Sequence, residues 1–590
     1  MKRLFDILEM LEKNCTKEDI LSAKENKQWV KYSVKDFSKA ARDLASALIA
    51  MGLQKEDMAA IISPNRPEWV FTDYGIQLAG LISVPIFPTI SADDLRYILK
   101  HSEAKIVFIA DKSTYQKLAA MENDLPDLKY VISFNPIEGV HSFRDLLKEG
   151  AAKYKVELLN ERKDSIKEED VFTILYTSGT TGHPKGVMIT HKAMLSNVTA
   201  IKHMVPFTPK WKALSFLPLN HVYERVLHNL YLHQQVSIYY AENFETIGNN
   251  CREIHPQVFV AVPRILERVL EKIMSTGDKL TGFKKKIFDK SIELAEKYEP
   301  NGANGFWYQL QRKVLDKLVY SKWREAVGGE LVCVVSGGAA LNPRIEKIFF
   351  CAGIPLLQGY GLTETSVVIA VNHFGPNNLH FGTVGPIVGN IEVKLLEEDG
   401  EILMRGPSLM KGYFKDPLAT NEAIDKDGWF HTGDIGTWVE GRYLKITDRK
   451  KELFKTSAGK YISPVALENK LKECKYIENC MVVGSNQKFA SAIIIPNMIT
   501  FREYCITHQI EWKGTDAMYT SDELKKLVND HVKAMNKTLA PYEQLKRCQL
   551  IKDNWSVDGG QITPKLSLKR KVIAERHKAT MEKIFAQGED

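Results

Sequence analysis

The chain lacks closely spaced cysteine pairs. Its eight cysteines (15, 251, 333, 351, 474, 480, 505 and 548) are scattered without a C-x-x-C pair, which argues against zinc or disulfide frameworks and for a reducing cytosol. Long apolar runs are also lacking. No stretch approaches the ~20 apolar residues that span a bilayer, and the N-terminal "MKRLFDILEMLEKNCTKED" is charged throughout, without the apolar core of a signal peptide. The expectation is a soluble, cytoplasmic protein, at most peripheral on the inner face of a membrane. Leu4–Leu11 has the pattern of an amphipathic helix, for which packing on the domain is the first expectation and a membrane surface the second. Excess charge of one sign is missing too: 80 Lys and Arg against 73 Asp and Glu leave +7. With no basic–aromatic stripe, no nucleic acid is expected as a partner. Internal repeats and low-complexity tracts are absent.

What is present is length and alternation. At 590 residues the chain exceeds one core, so two or more domains are expected, and 44% hydrophobic with 26% charged residues is ordinary globular composition. Up to about residue 260, apolar runs (Met58–Ser63, Ala104–Ala110, Lys129–Ser133) alternate with helical patterns (Val34–Met51, Trp69–Leu78). That alternation predicts an α/β fold with largely parallel sheet. Residues 264–325 are charged and helical, a helical excursion, and a strand returns at Leu331–Val335 before "SGGAAL". Short β-like pieces then lead to "TDRKKELFK", after which the character becomes that of a small α+β unit. The expected domains are 1–447 and 448–590.

The densest chemistry lies in "YTSGTTGHPKG", Tyr176–Gly186, which follows the apolar run Val171–Tyr176. A strand feeding glycines, hydroxyls and a lysine suggests a phosphate cradle, since glycine lets backbone N–H groups approach an anion. A surface hairpin is the plainer alternative. The Walker A spacing G-x-x-x-x-G-K-[ST] is not met, because His183-Pro184 separate Gly182 from Lys185 and Gly186 follows the lysine. A P-loop NTPase is therefore excluded.

The loop resembles the signature of the adenylate-forming enzymes, and further segments follow in the same order: "QGYGLTET" (Gln358–Thr365), "GEILMRGPSLMKGYFKDP" (Gly400–Pro417), "DGWFHTGD" (Asp427–Asp434) and "DRKKELFKTSAGKYISPVALE" (Asp448–Glu468). The resemblance implies a large N-terminal domain of α/β sheets with a β-rich subdomain, and a small mobile α+β C-terminal domain rotating about a hinge near Asp448. It implies ATP, Mg²⁺ and CoA. Nucleotide contacts fall to Thr177, Ser178, Gly179, Thr180, Thr181, Gly182 and Lys185. They fall also to Gly338 of "SGGAAL", to Gln358, Gly359, Tyr360, Gly361 and Thr363, and to Asp434 and Arg449. Glu364, assisted by Thr180, is the implied Mg²⁺ site. Read alone, Glu364 is a solvated glutamate, Asp434 a turn residue and Arg449 part of a charge run.

"LPLNHVYER" (Leu217–Arg225) and "VFVAVPRILERVLEKI" (Val258–Ile273) are similar to segments of the long-chain fatty acyl-CoA synthetases, where the His221 position lies beside the acyl carboxylate. Without that match His221 reads as a core histidine. The aromatics of Phe71–Tyr74 and Val236–Tyr240 read as core before they read as an acyl tunnel. The implied reaction has two halves: the carboxylate attacks the α-phosphate of ATP and pyrophosphate leaves, then the CoA thiol displaces AMP. One position departs from the family pattern. In "ITPKLSLKRK" the family's adenylation lysine aligns with Ser567, which cannot neutralise phosphate charge. Lys565 lies two residues earlier, on the same face of an extended chain, and takes the role here, with Lys569 the second candidate. The expected partners are a long-chain fatty acid, ATP and CoA, on a monomer or homodimer. A fatty acyl-AMP ligase serving a carrier protein and a non-catalytic adenylate-binding relic are the alternatives.

Overall fold

The computed structural model describes residues 1–590 except 178–182, 451, 458–459, 557–558, 563–567 and 587–590, and except the side chain of Asn301. Two eight-stranded sheets organise the larger part of the chain. One runs in the order Gly412–Tyr413, Lys185–Thr190, Val171–Thr177, Ile82–Ile86, Met58–Ile62, Ile106–Ile109, Tyr130–Ser133, His141–Ser142. The other runs Ala370–Val371, Leu356–Tyr360, Cys333–Ser336, Val258–Ala261, Lys212–Ser215, Ser237–Tyr240, Leu21–Glu25, Gln28–Tyr32. Pairing is parallel through the middle of each and antiparallel at an edge. The central strands Met58–Ile62, Ile106–Ile109 and Val258–Ala261 are buried at every position, the continuous apolar reading expected of parallel strands covered on both faces.

The helices obey local rules. Val34–Ala50 begins at a reciprocal box in which Ser33 and Asp36 satisfy each other's backbone. It packs Phe37 against Phe71 and Tyr74 of the next helix. The first helix, Asp6–Asn14, buries Ile7, Leu8 and Leu11, so the N-terminal segment packs on the domain. Phe71, Tyr74, Tyr239 and Tyr240 are buried as well. The helical excursion comprises Pro263–Asp278, Gly282–Glu296, Gly305–Leu315 and Ser321–Ala326. A four-stranded sheet, Glu392–Leu395, Glu401–Arg405, Phe430–Val439 and Tyr443–Arg449 in that order, forms the β-rich part.

By contacts the chain divides into two compact units. The first holds 1–394, 403–432 and 438–445; the second holds 395–402, 433–437 and 446–590. Inside the second unit, the sheet Ile477–Val483, Ala490–Pro496, Leu545–Leu550 is covered on both faces. Alternate residues go opposite ways: Cys480, Val482 and Ile494 pack with Phe501 and Leu524, whereas Met481, Val483, Ile493 and Ile495 pack with Trp555, Ile573 and Ile584. This is a small α+β unit with its own core. Among the described residues no helix is long and apolar enough to cross a membrane.

Candidate active site

The hairpin Val171–Thr177/Lys185–Thr190 closes with Thr177 opposite Lys185, which sets both at its mouth. The Thr177 hydroxyl donates to the Lys185 carbonyl at 3.5 Å. Ser178, Gly179, Thr180, Thr181 and Gly182, which join the two strands, lie outside the described residues. Just after them, His183 stacks on Tyr97 at 4.3 Å, Tyr97 stacks on His101, and His101 Nδ1 meets the Tyr176 hydroxyl at 2.8 Å. These rings brace both flanks of the motif.

The segment "QGYGLTET" leaves the strand Leu356–Tyr360 and enters a tight turn at Thr363–Thr365. A Cβ on Gly361 would stand 1.2 Å from the Val367 carbonyl oxygen, so only glycine lets the two backbones meet. The turn is closed by Thr365, whose Oγ1 accepts the Leu362 N–H at 3.1 Å. Val367 follows with φ +94°, an uncommon conformation for a β-branched residue. Thr363 is buried. Gly359 packs against Val371, and the Tyr360 carbonyl accepts the Ile369 N–H at 2.8 Å. The Gln358 side chain is buried, and its Oε1 has no hydrogen-bond partner among the described residues, an open acceptor beside the turn.

Glu364 is fixed from both ends. Its carbonyl accepts the Met410 N–H at 2.7 Å, and its carboxylate accepts the Tyr413 hydroxyl at 3.0 Å. Tyr413 pairs with Val187 along the edge of the hairpin sheet, and the Lys185 ammonium lies 5.0 Å from the centre of its ring, a cation–π distance. Burial, reinforced by the charge of Glu364, pushes the Tyr413 hydroxyl well above its usual range, so it stays a phenol donor. One tyrosine therefore ties Lys185 to Glu364. Sequence reasoning did not single it out; the signal was the aromatic of "KGYFKDP", inside a segment already matched as a motif.

His221 caps the helix Val222–His233, its Nδ1 accepting the Tyr223 N–H at 3.0 Å. In the neutral ring the proton is thus on Nε2. Asn65 holds the approach: its amide accepts from Leu219 at 2.9 Å and donates to the Leu217 carbonyl at 2.7 Å. Tyr223 donates to the Val335 carbonyl at 3.0 Å and packs on Gly337, which joins the His221 helix to the strand end at Gly338. Gly338 has φ +81°, the left-handed region that favours glycine.

The neighbouring Glu224 and Arg225 turn into the core. Arg225 pairs with buried Asp73, donates to Thr173 Oγ1 at 2.7 Å and lies over the rings of Trp69 and Phe172. Glu224 accepts the Ser215 hydroxyl at 2.6 Å, and desolvation pushes its carboxyl up to about 8. Both position the helix.

In the second unit, Arg449 Nε meets the carboxylate of buried Asp434 at 2.7 Å, so the two proposed ribose contacts are neighbours. Lys450 pairs with Asp399 at 2.7 Å and Glu401 at 2.9 Å. Arg449 N–H donates to Asp448 Oδ1 at 2.6 Å, and burial raises the Asp448 carboxyl above its usual range. Near the C-terminus, Ile562 pairs with Leu568, while Arg570 holds Glu468 at 2.7 and 2.8 Å. Lys565 and Ser567 lie outside the described residues; Lys569 does not, and it precedes the helix Arg570–Arg576.

Similarity agrees with this geometry. The AMP-binding enzyme family model matches residues 11–414, and the AMP-binding enzyme C-terminal domain matches residues 452–589. The long-chain-fatty-acid–CoA ligases FadD15 of Mycobacterium bovis and Mycobacterium tuberculosis are each 32% identical over 567 residues, covering 94% of this chain and 92% of theirs. Among solved structures, the anthranilate CoA ligase AuaEII in complex with anthranoyl-AMP shares the fold at a TM-score of 0.73 and 18% identity, over 98% of each chain. The chain belongs to the AMP-binding, adenylate-forming enzymes, matches the long-chain fatty acid–CoA ligases among them, and is an AMP-forming ligase acting on an acyl substrate.

Proposed function

We propose that this enzyme is a long-chain fatty acid–CoA ligase, which activates a fatty acid as acyl-AMP and transfers the acyl group to CoA. The observation that carries the reading is the identity to two enzymes named for that reaction across nearly the whole of both chains. The site chemistry is compatible. Lys185, tethered over Tyr413, places a positive charge at the hairpin mouth for the ATP phosphates. His221, with its proton on Nε2, can donate to the fatty acid carboxylate and orient it. Asp434 and Arg449 offer an acceptor and a donor for a ribose diol, and Gln358 Oε1 an acceptor for adenine.

Among the described residues no cluster of three or more His, Cys, Asp or Glu could cage a metal. A single carboxylate at Glu364 suits Mg²⁺, which typically binds through one or two carboxylates together with substrate phosphates. Glu364 would hold it with Thr180, and the ion would neutralise phosphate charge. Lys565 is our choice for the adenylation lysine, and the region of Asp448 for the hinge on which 448–590 turns between half-reactions.

Purified enzyme should show fatty-acid-dependent pyrophosphate exchange, and CoA should stimulate AMP release. Exchange without any response to CoA would assign the acyl group to a carrier protein instead. Lys565→Ala should lower exchange by about 10²-fold or more while Lys569→Ala leaves most of it. Unchanged exchange in Lys565→Ala removes that residue from the mechanism.

A further inference from the structure

The helix Gly305–Leu315 of the helical excursion has its inner face fixed. Tyr308 donates to the Leu294 carbonyl at 2.7 Å, Arg312 Nε donates to the Cys351 carbonyl at 2.8 Å, and Leu315 is buried. That anchoring turns the opposite face outward. Phe306 and Trp307 are 75% and 74% exposed, Leu310 and Val314 are exposed, and Leu318 continues the row in the next turn. Positions 306, 310, 314 and 318 recur every four residues, a single stripe. Exposed apolar residues scattered singly need no explanation, but a contiguous row marks an interaction surface.

The charge along the stripe is mainly positive. Lys313 and Lys317 fall on the same arc of the helix as the apolar row. Besides the inward Arg312, residues 305–322 contain Lys313, Lys317 and Lys322 against one acid, Asp316. That acid is closed in an ion pair with Arg324 at 2.6 Å. The preceding helix, Gly282–Glu296, opens with Phe283, itself exposed, followed by Lys284, Lys285 and Lys286, of which Lys285 is ion-paired with Asp278 and Asp289.

We propose that this face docks the enzyme on an anionic lipid bilayer. The aromatic and aliphatic side chains enter the interface, and the lysines engage the phosphate headgroups. A second copy is the poorer occupant, because a twofold contact would set the same cationic patch against itself. The inference is independent of the active-site reading, since binding is scored without turnover.

The experiment is co-sedimentation of the full chain with vesicles of phosphatidylcholine alone and of phosphatidylcholine with phosphatidylglycerol, at low and high salt. Wild type should bind the anionic vesicles and release as salt rises. Phe306→Ser/Trp307→Ser/Leu310→Ser should lower the partition coefficient more than about tenfold. Lys313→Gln/Lys317→Gln should lower it roughly 30-fold on anionic vesicles without changing binding to neutral ones. Both variants replace exposed side chains and should keep the wild-type melting temperature, which makes a loss of binding readable. Wild type that fails to bind, binds both vesicles equally, or is matched by the serine variant overturns the proposal. So does a wild-type dimer in sedimentation that the serine variant converts to monomer.

Discussion

In the segment Gln358–Val368 backbone meets backbone: Gly361 lies under the Val367 carbonyl, and Thr365 closes the turn. Asp434 and Asp448–Arg449 lie on paired strands, with the Lys450 N–H donating to the Gly433 carbonyl at 2.8 Å, but the side chains here are set by charge: Arg449 to Asp434, and Lys450 to Asp399 and Glu401. The Arg449 side chain is 56% exposed. A backbone-locked turn tolerates almost no change at its contact point and is indifferent to salt. A charge-held segment tolerates substitution and weakens as salt screens it. The helix at His221 is a third case: side chains hold it, but the Arg225–Asp73 pair and Glu224 are buried, out of reach of screening salt.

The sharpest way to break the comparison is Gly361→Ala. The added Cβ cannot coexist with the Val367 carbonyl, so the turn must open. Pyrophosphate exchange should fall at least about 10³-fold, and a melting curve should show a lower midpoint. Near-normal exchange would place the turn outside the site.

Arg225→Ala comes next. It leaves Asp73 buried without its partner, and urea unfolding should report a loss of about 3–5 kcal/mol. Arg225→Ala together with Asp73→Ala should recover part of it.

Glu224 tests the same anchor through pH. Its carboxyl titrates at about 8 in the fold against 4.5 ordinarily. Below 4.5 both folded and unfolded chains hold the proton. Between 4.5 and about 8 only the fold keeps it, so stability falls as pH rises. Glu224→Gln should flatten that slope of the melting temperature. The flattening should be incomplete, because buried Glu346 is also raised to about 8.

Tyr413→Phe removes the hydroxyl from Glu364 but keeps the ring under Lys185. KM for ATP should rise roughly tenfold, in line with the loss of about 1.5 kcal/mol from a hydrogen bond to a charged group. Smallest in stability is Arg449→Ala, expected within about 1 kcal/mol of wild type, with KM for ATP raised and its salt dependence diminished. A large loss of stability there would erase the distinction between the two kinds of motif.

Legibility in the sequence followed the same division. Met58–Ile62, Ile106–Ile109 and Tyr130–Ser133 were readable because central parallel strands are uninterrupted apolar runs, and the helical excursion because its charge pattern is periodic. Leu21–Glu25 and Gln28–Tyr32 were not: "LSAKE" and "QWVKY" mix charge into edge strands that earn their place by pairing beside Ser237–Tyr240. Tyr413 was hidden for a related reason. Its strand is two residues long and pairs with Lys185–Thr190, more than two hundred positions away. Local pattern carries no trace of so distant a partner. The family resemblance, not local pattern, singled out Asp434 and Arg449, and the structure sets their side chains 2.7 Å apart. That Arg225 turns inward while His221 caps the helix required the packing.

The most direct test is product analysis of the purified enzyme with palmitate, ATP and Mg²⁺, with and without CoA. Our account predicts pyrophosphate and a small amount of enzyme-held acyl-AMP without CoA, and palmitoyl-CoA with stoichiometric AMP when CoA is added. Acyl-AMP that accumulates unchanged in the presence of CoA would contradict it.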